Sequence, residues 1–187
     1  MSALLLPEHV VHLRTERLVM RRFTTGDIDI LVELDSDPEV TRWVGQPPPP
    51  TPAAVEARMP NLLGWYDKGP DEGYWATHLA ATGAFIGWFL YRPMKEPPGE
   101  PELGYRLRRD AWGKGYATEG SRALVARALN ELHVPRVVAC AMRPNTASTN
   151  VMKKIGMIFE REGTEEDTPV DWYVITRPRA PSPPSPP

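Results

Sequence analysis

Hydrophobic and polar positions alternate with a period of two over Arg17–Phe23. Leu18, Met20 and Arg22 fall on one side and Val19, Arg21 and Phe23 on the other, which predicts a strand. Thr24 or Thr25 then supplies a helix N-cap, with Asp27 in the first turn and an apolar stripe at Ile28, Leu31, Val32 and Leu34. Pro38 interrupts that helix. A second helix is predicted from Pro52, a first-turn proline, through Ala53–Tyr66, with Pro60 as a kink or break. Tyr74–Leu79 and Ala84–Tyr91 flank the turn Ala81-Thr82-Gly83 and read as a hairpin, followed by a strand at Glu102–Leu107. The clearest helix is Ala117–Leu132, where Leu124, Val125, Ala128, Leu129 and Leu132 recur at spacings of three and four. Arg136–Met142 is a β-branched run and reads as a buried strand. Thr146–Lys154 is a short helix closed by Gly156, and Met157–Glu160 and Val170–Thr176 are further strands. The order β, α, α, β, β, β, α, β, α, β, β predicts a mixed sheet with helices packed on it.

Composition narrows the class. The chain has 187 residues, of which 41 % are hydrophobic and 25 % charged, enough for one ordinary core and against global disorder. A formal net charge of -2 disfavours a nucleic-acid grip built on bulk positive charge. The one cysteine, Cys140, excludes an intrachain disulfide and a thiolate zinc cluster, and no HExxH pair is present, so no metal is expected. No apolar run approaches the ~20 residues of a membrane helix. The start, Met1–Pro7, lacks a basic segment before its apolar stretch, so the cytoplasm is the expected location.

Proline is concentrated in three tracts: Pro47–Pro52, Pro93–Pro101 and the end of the chain, Pro178–Pro187. The first two read as loops inside one domain and the last as an extended tail. The expected organisation is an N-terminal extension over 1–12, a single domain over 13–177 and a Pro-rich tail over 178–187.

The informative stretch runs from Leu103 to Glu119, where a strand enters a Gly-rich turn that opens directly into the best helix. Free N–H groups at a helix start, helped by the dipole, form an anion site. Gly113 and Gly115 let the backbone turn tightly and approach a phosphate, and Lys114 and Arg109 add positive charge nearby. The implied chemistry is binding of a phosphate or pyrophosphate. A P-loop fails because Tyr116 follows Gly115, and a dinucleotide fingerprint fails because its sixth position is Thr118.

Three ordered motifs carry a family resemblance. They are Leu13-Arg14-Thr15-Glu16-Arg17-Leu18-Val19-Met20-Arg21, then Trp112-Gly113-Lys114-Gly115-Tyr116-Ala117-Thr118-Glu119-Gly120, then Asn145-Thr146-Ala147-Ser148-Thr149-Asn150-Val151-Met152-Lys153-Lys154-Ile155-Gly156-Met157. From about Leu13 to Ile175 the chain resembles the GNAT acyl-CoA-dependent N-acetyltransferases, in the branch with the ribosomal-protein N-terminal acetyltransferases. It departs at Trp112, where many members carry Arg or Gln.

The resemblance implies an α/β (α+β) fold: a mixed, mostly antiparallel sheet of six to seven strands, with splayed central strands and flanking helices. It implies acetyl-CoA as cosubstrate in the splay, with pantetheine along Gly104, Tyr105, Arg106 and Leu107. Pyrophosphate would sit on Gly113, Lys114, Gly115, Tyr116 and Ala117, with Arg109, Trp112 and Thr118 beside it. Asn145 would touch the cosubstrate or shape the crevice, and backbone N–H groups near Leu107 would serve the oxyanion. A homodimer is a further expectation; nucleic acid and membrane are not.

Transfer to an amine needs a proton acceptor for the amine and a donor for the leaving thiolate. Glu102 is the expected base, through water, where the family places its acidic residue. Ser148 is the expected thiolate partner; its bland alternative is a hydroxyl that caps its own turn. Tyr105 and Tyr116 also suit packing, and Glu119 suits the helix dipole. His78 reads as structural, yet its pKa range suits a base if it faces the cleft. Cys140 reads as an inert core thiol. Trp43, Trp65, Trp75, Trp88 and Tyr91 fall in segments that the resemblance places on the acceptor side, with ordinary core packing as the alternative; Trp43 and Tyr91 adjoin the proline loops and are expected to wall the acceptor with His78. Asp27, Glu33, Asp35 and Asp37 either attract a cationic amine or form a solvated helix face. The reading is therefore an N-acetyltransferase acting on a protein N-terminus or a small amine. Its competitors are a non-catalytic acyl-CoA sensor and an interaction protein working through the Pro-rich tail.

Overall fold

The computed structural model describes residues 10–43, 50–94, 99–165 and 167–177. Its elements are β1 (Val11–Arg14), β2 (Leu18–Arg22), α1 (Ile28–Ser36), α2 (Pro38–Thr41), α3 (Pro52–Leu63), β3 (Gly73–Leu79), β4 (Phe85–Pro93), β5 (Pro101–Leu107), α4 (Tyr116–Asn130), β6 (Arg136–Met142), α5 (Thr146–Lys154), β7 (Ile158–Glu165) and β8 (Thr168–Thr176). The strands form one sheet in the order β1-β2-β3-β4-β5-β6-β8-β7. Every neighbouring pair is antiparallel except β5 and β6. Those two run parallel and meet at one register pair, Glu102 with Val138, so the sheet opens beyond that point.

Three buried clusters cover the sheet's faces, the smallest of Met94, Val138, Val170, Trp172 and Val174. The apolar stripe of α4, with Leu124, Val125, Ala128 and Leu129, joins Leu18, Met20, Phe89 and Val137 in the larger core. Phe23, Leu31, Val55, Met59 and Ala76 bring α1 and α3 onto the sheet in a second core. This is the anticipated mixed, mostly antiparallel sheet with a central splay and flanking helices.

The differences are local. The sheet has eight strands rather than six to seven, because Val11–Arg14 pairs with β2. That segment carries little strand signal of its own. His12 is held there by stacking on Trp75, 3.7 Å between centroids and 5° between planes, and burial pushes its pKa down to about 4. Strand β7 runs on to Glu165 instead of stopping at Glu160, although every residue of it but Gly163 is exposed. Its pairing with β8, not a buried face, defines it.

Pro38 does end α1, and it also opens α2 at its first turn, with the Asp37 side chain accepting from Glu39 N–H at 2.9 Å. The helix expected over 53–66 is α3, which stops at Leu63 and tightens into a 3-10 turn over Gly64–Asp67. Pro60 stays inside α3 on its exposed side, where the carbonyl one turn back faces solvent rather than the core. Pro47–Pro49, Pro97, Pro98, the tail 178–187 and the start Met1–Pro7 lie outside the described residues. Among the described residues no helix is long and apolar enough to cross a membrane.

One glycine lets α4 lie close to the sheet. A Cβ at Gly120 would overlap Phe89 Cζ and Met20 Cε, both core atoms. Gly120→Ala is expected to destabilise the fold by about 1–3 kcal/mol through overpacking. The check is a lower denaturant midpoint at unchanged m-value; an unchanged midpoint would mean that Phe89 and Met20 move aside freely.

Candidate functional site

The opening between β5 and β6 is a cavity of about 540 Å³. Residues 103–107 have no ladder partner on the β6 side, so backbone groups along that edge are open to a ligand. Gly104 thins the strand on its other side: a Cβ there would press on the Leu90 side chain at 3.1 Å.

At the far end of β5 the chain turns through Arg109–Ala111 and Trp112 into α4. Gly113 and Gly115 both have left-handed backbones, φ 73 and φ 83, which a side chain would strain. Gly115 is the N-cap, and the first helical bond runs from Glu119 N–H to its carbonyl. The N–H groups of Tyr116, Ala117 and Thr118 therefore have no partner within the helix, and all three residues line the cavity. A Cβ at Gly113 would meet open space, so the turn is a concave cradle rather than a packed corner. This arrangement fits a pyrophosphate.

The nearby carboxylate is neutralised. Glu119 accepts from Thr15 Oγ1 at 2.5 Å, from Arg17 N–H at 2.9 Å and from Arg17 Nε at 2.6 Å. Burial raises its pKa, but these bonds outweigh burial and hold the carboxyl below the usual range. Arg17 also donates to the Lys114 carbonyl at 3.0 Å and covers the Tyr116 ring at 4.7 Å, so it latches the turn to β2. The Trp112 indole donates to the Leu107 carbonyl at 2.8 Å and ties the turn to β5. Trp112 thus contributes a fixed backbone rather than a ligand donor.

Three groups with proton chemistry meet at the cavity. Glu102 stands where β5 and β6 still touch, 3.2 Å from Arg92 Nη2. Burial raises its pKa above the usual carboxylate range, Arg92 opposes that shift and Glu165 adds to it. Ser148 Oγ lies 3.2 Å from Tyr105 Oη. Burial raises the Tyr105 pKa, so its phenol stays protonated at neutral pH. Ser148 does not cap its turn. The Asn145 side chain caps α5 instead, accepting from Ser148 N–H at 3.1 Å, which leaves the Ser148 hydroxyl for Tyr105 and the cavity. Cys140 lines the same wall with its thiol pushed up to about 12 by burial, so it is a neutral wall atom.

The cavity brings together Glu102, Gly104, Tyr105, Arg106, Leu107, Trp112, Gly113, Gly115, Tyr116, Ala117, Thr118, Asn145, Ser148 and Trp43. It does not take up four other nominated residues. Tyr91 is 5 % exposed and packs in the larger core, and burial pushes its phenol up to about 12. His78 points its Nδ1 at the Gly83 carbonyl, 3.0 Å away, beside the β3–β4 turn. Arg109 faces Asp37 at 3.6 Å in a neighbouring cleft. Lys114 contributes its backbone carbonyl to Arg17 but is not on the cavity wall.

Sequence reasoning missed Arg17 as the latch, Tyr105 as the partner of Ser148, and Val40 on the wall, whereas Trp88 does line the cavity. Arg17 and Lys114 are 97 positions apart and Tyr105 and Ser148 43 apart, so no local pattern signals either contact.

Residues 17–158 match the family model described as "Acetyltransferase (GNAT) domain". FsC-acetyl coenzyme A-N(2)-transacetylase of Aspergillus fumigatus is 32 % identical over 165 residues, covering 84 % of this chain and 69 % of its own length. An acetyltransferase structure from Agrobacterium tumefaciens superposes with TM-score 0.75 at 25 % identity, covering 94 % of this chain and 99 % of its own. The aminoglycoside acetyltransferase AAC(6')-Ib, solved in complex with coenzyme A, superposes with TM-score 0.71 at 23 % identity over 86 % of this chain and 95 % of its own. The cradle at the start of α4, the open edge of β5 and these likenesses agree: the chain belongs to the GNAT acetyltransferase family and is an acetyltransferase whose cosubstrate is acetyl-CoA.

Proposed function

We propose that the protein moves an acetyl group directly onto a primary amine, either a protein N-terminus or a small-molecule amine. The observation that carries this reading is the single cavity shared by free helix amides, a partly buried carboxyl and a hydroxyl pair. Gly113, Gly115, Tyr116, Ala117 and Thr118 would hold the pyrophosphate, and the open edge of β5 would pair with the pantetheine arm. Bound acetyl-CoA supplies a thioester carbonyl for a neutral amine and a thiolate leaving group. Glu102 takes the amine proton through water; its raised pKa makes the carboxylate a stronger base than an exposed glutamate. Ser148, with its hydroxyl against the protonated Tyr105 phenol, donates toward the departing sulfur. The three sequence motifs favour the ribosomal-protein N-terminal branch, in which the acceptor is a peptide α-amine.

The direct test is titration calorimetry with acetyl-CoA and with CoA, followed by thiol release on a panel of amines. Saturable binding with amine-dependent thiol release is expected; binding without release on any amine would refute transfer. Ser148→Ala is expected to lower kcat about 10²-fold, the lower range for loss of a positioned proton donor, with the Kd for acetyl-CoA unchanged. Tyr105→Phe should lower kcat less, because Ser148 remains. A Ser148→Ala variant with wild-type kcat would remove the hydroxyl from the mechanism.

A further inference from the structure

The charged side chains on the described wall of the cavity are Glu102, Arg106 and Lys154. Glu102 is the one carboxylate among them, and it already faces Arg92 at 3.2 Å. Five acids of the neighbouring segments, Asp27, Glu33, Asp35, Asp37 and Asp110, are each matched by an arginine. Asp27 forms a two-pronged pair with Arg21, at 2.8 and 2.7 Å. Asp35 is held between Arg58, at 2.5 Å, and Arg106. Glu33 meets Arg108 at 2.7 Å, and Asp37 meets Arg109 at 3.6 Å. In the adjoining cleft Asp110 also lies against Arg108, at 3.5 Å. One unpaired acid, Glu165, acts on Glu102 from off the wall, but on the wall itself a ligand carrying several ammonium groups would find no unmatched carboxylate among the described residues. It would have to displace an arginine or bury a cation beside Arg106 or Lys154.

The same wall is rich in apolar surface. Trp43, Trp88, Val40 and Leu90 line it together. Trp88 is fixed by the edge of Tyr74, 5.4 Å between centroids, and by the Arg106 guanidinium at 5.2 Å. Trp43 is covered by Arg42 at 4.4 Å. Such rings present a rigid apolar body at low entropic cost.

We infer that the acceptor is a monoamine with an aromatic or bulky apolar group beside its amine, seated against Trp43 and Trp88, and that the site selects against polyamines and aminosugars. This rests on the amine-transfer reading above and specifies its acceptor. The fold likeness to an aminoglycoside acetyltransferase does not extend to its acceptor class.

The test compares kcat/KM, by thiol release at saturating acetyl-CoA, for phenethylamine, a Phe-Ala-Ala tripeptide amide, spermidine and kanamycin. Either aromatic amine should exceed spermidine and kanamycin by about tenfold or more, the range a matched apolar pocket supplies. The ratio between phenethylamine and the peptide separates a free amine from a chain terminus. Spermidine or kanamycin equal to or better than both aromatic amines would overturn the inference while leaving acetyl transfer intact. Acetyl-CoA binding with no turnover on any amine would overturn the transfer reading itself, and the inference with it. Trp43→Ala should raise KM for the better aromatic amine about tenfold, with KM for acetyl-CoA unchanged. Trp88→Ala should act in the same direction, and Trp43, being half-exposed, keeps the test independent of folding. Unchanged KM in a folded Trp43→Ala variant would remove that residue from the acceptor wall.

Discussion

Gly115→Asp is expected to raise the Kd for acetyl-CoA about a hundredfold or more, equivalent to about 2.7 kcal/mol, while the protein still folds. Folding is retained for two reasons. Aspartate is among the few residues that visit the left-handed region at moderate strain, and it is a favoured N-cap. Affinity is lost because the new carboxylate stands at the cradle that the pyrophosphate needs. A Cβ at this position is 3.4 Å from Arg17 Nη2, so the guanidinium would hold the carboxylate in place. The substituted side chain would then occupy the helix N-terminus as an internal anion. Gly115→Ala separates strain from charge: it shares the φ 83 backbone but adds no anion, so it should lose far less affinity. Calorimetry alongside a thermal melt checks both. A Gly115→Asp protein that melts like wild type and binds acetyl-CoA within threefold of it would place the pyrophosphate elsewhere.

Glu102→Gln is expected to lower kcat by about 10²-fold or more, the contribution of a positioned general base. Glutamine keeps the shape and loses the basic oxygen. The Kd for acetyl-CoA should hold, because Glu102 lies at the closed end of the cleft and the cradle at the far end of β5. The pH profile carries the sharper signature. Burial raises the Glu102 pKa, so the carboxylate form is lost as pH falls through a value above the ordinary glutamate range. Wild-type kcat should therefore show an acid limb displaced upward, and the Gln variant should lack it. Arg92→Ala should move that limb further up, because its guanidinium opposes the shift. An identical limb in wild type and Glu102→Gln would assign the base to another group.

The two substitutions probe features that were legible to different degrees. The cradle could be read because it is local: a strand, a turn with two glycines and a helix follow one another within residues 103–119. Helix-start amides are a property of the backbone, so their position follows once the helix boundary is known. The boundary moved by one residue, to Tyr116, without consequence. Glu102 could be nominated only through resemblance. Its burial and its pairing with Arg92 come from β4 lying antiparallel beside β5, with Arg92 opposite Glu102.

Sequence and structure differ most where one strand offers two faces. Tyr91, nominated for the acceptor wall, and His78, structural unless it faces the cleft, both stand off the cavity. The pleat gives each strand two sides, and the order of strands and helices decides which side is wet. Tyr91 went to the larger core and His78 to the rim of a hairpin turn. Strand β7 shows the converse: its charged stretch has no buried stripe, and only its register with β8 makes it a strand.

By itself the sequence determined the order of the main elements from β2 onward, the Gly-rich helix entrance and the family, because periodicity, capping and ordered motifs are written in neighbouring residues. Only the tertiary structure decided the charge balance around the cavity. Asp35 and Arg106 are 71 positions apart, and Glu33 and Arg108 are 75 apart. Glu33, Asp35 and Asp37, read from sequence as either a lure for a cation or a solvated face, are instead paired with arginines, because Coulomb attraction acts through space and not along the chain.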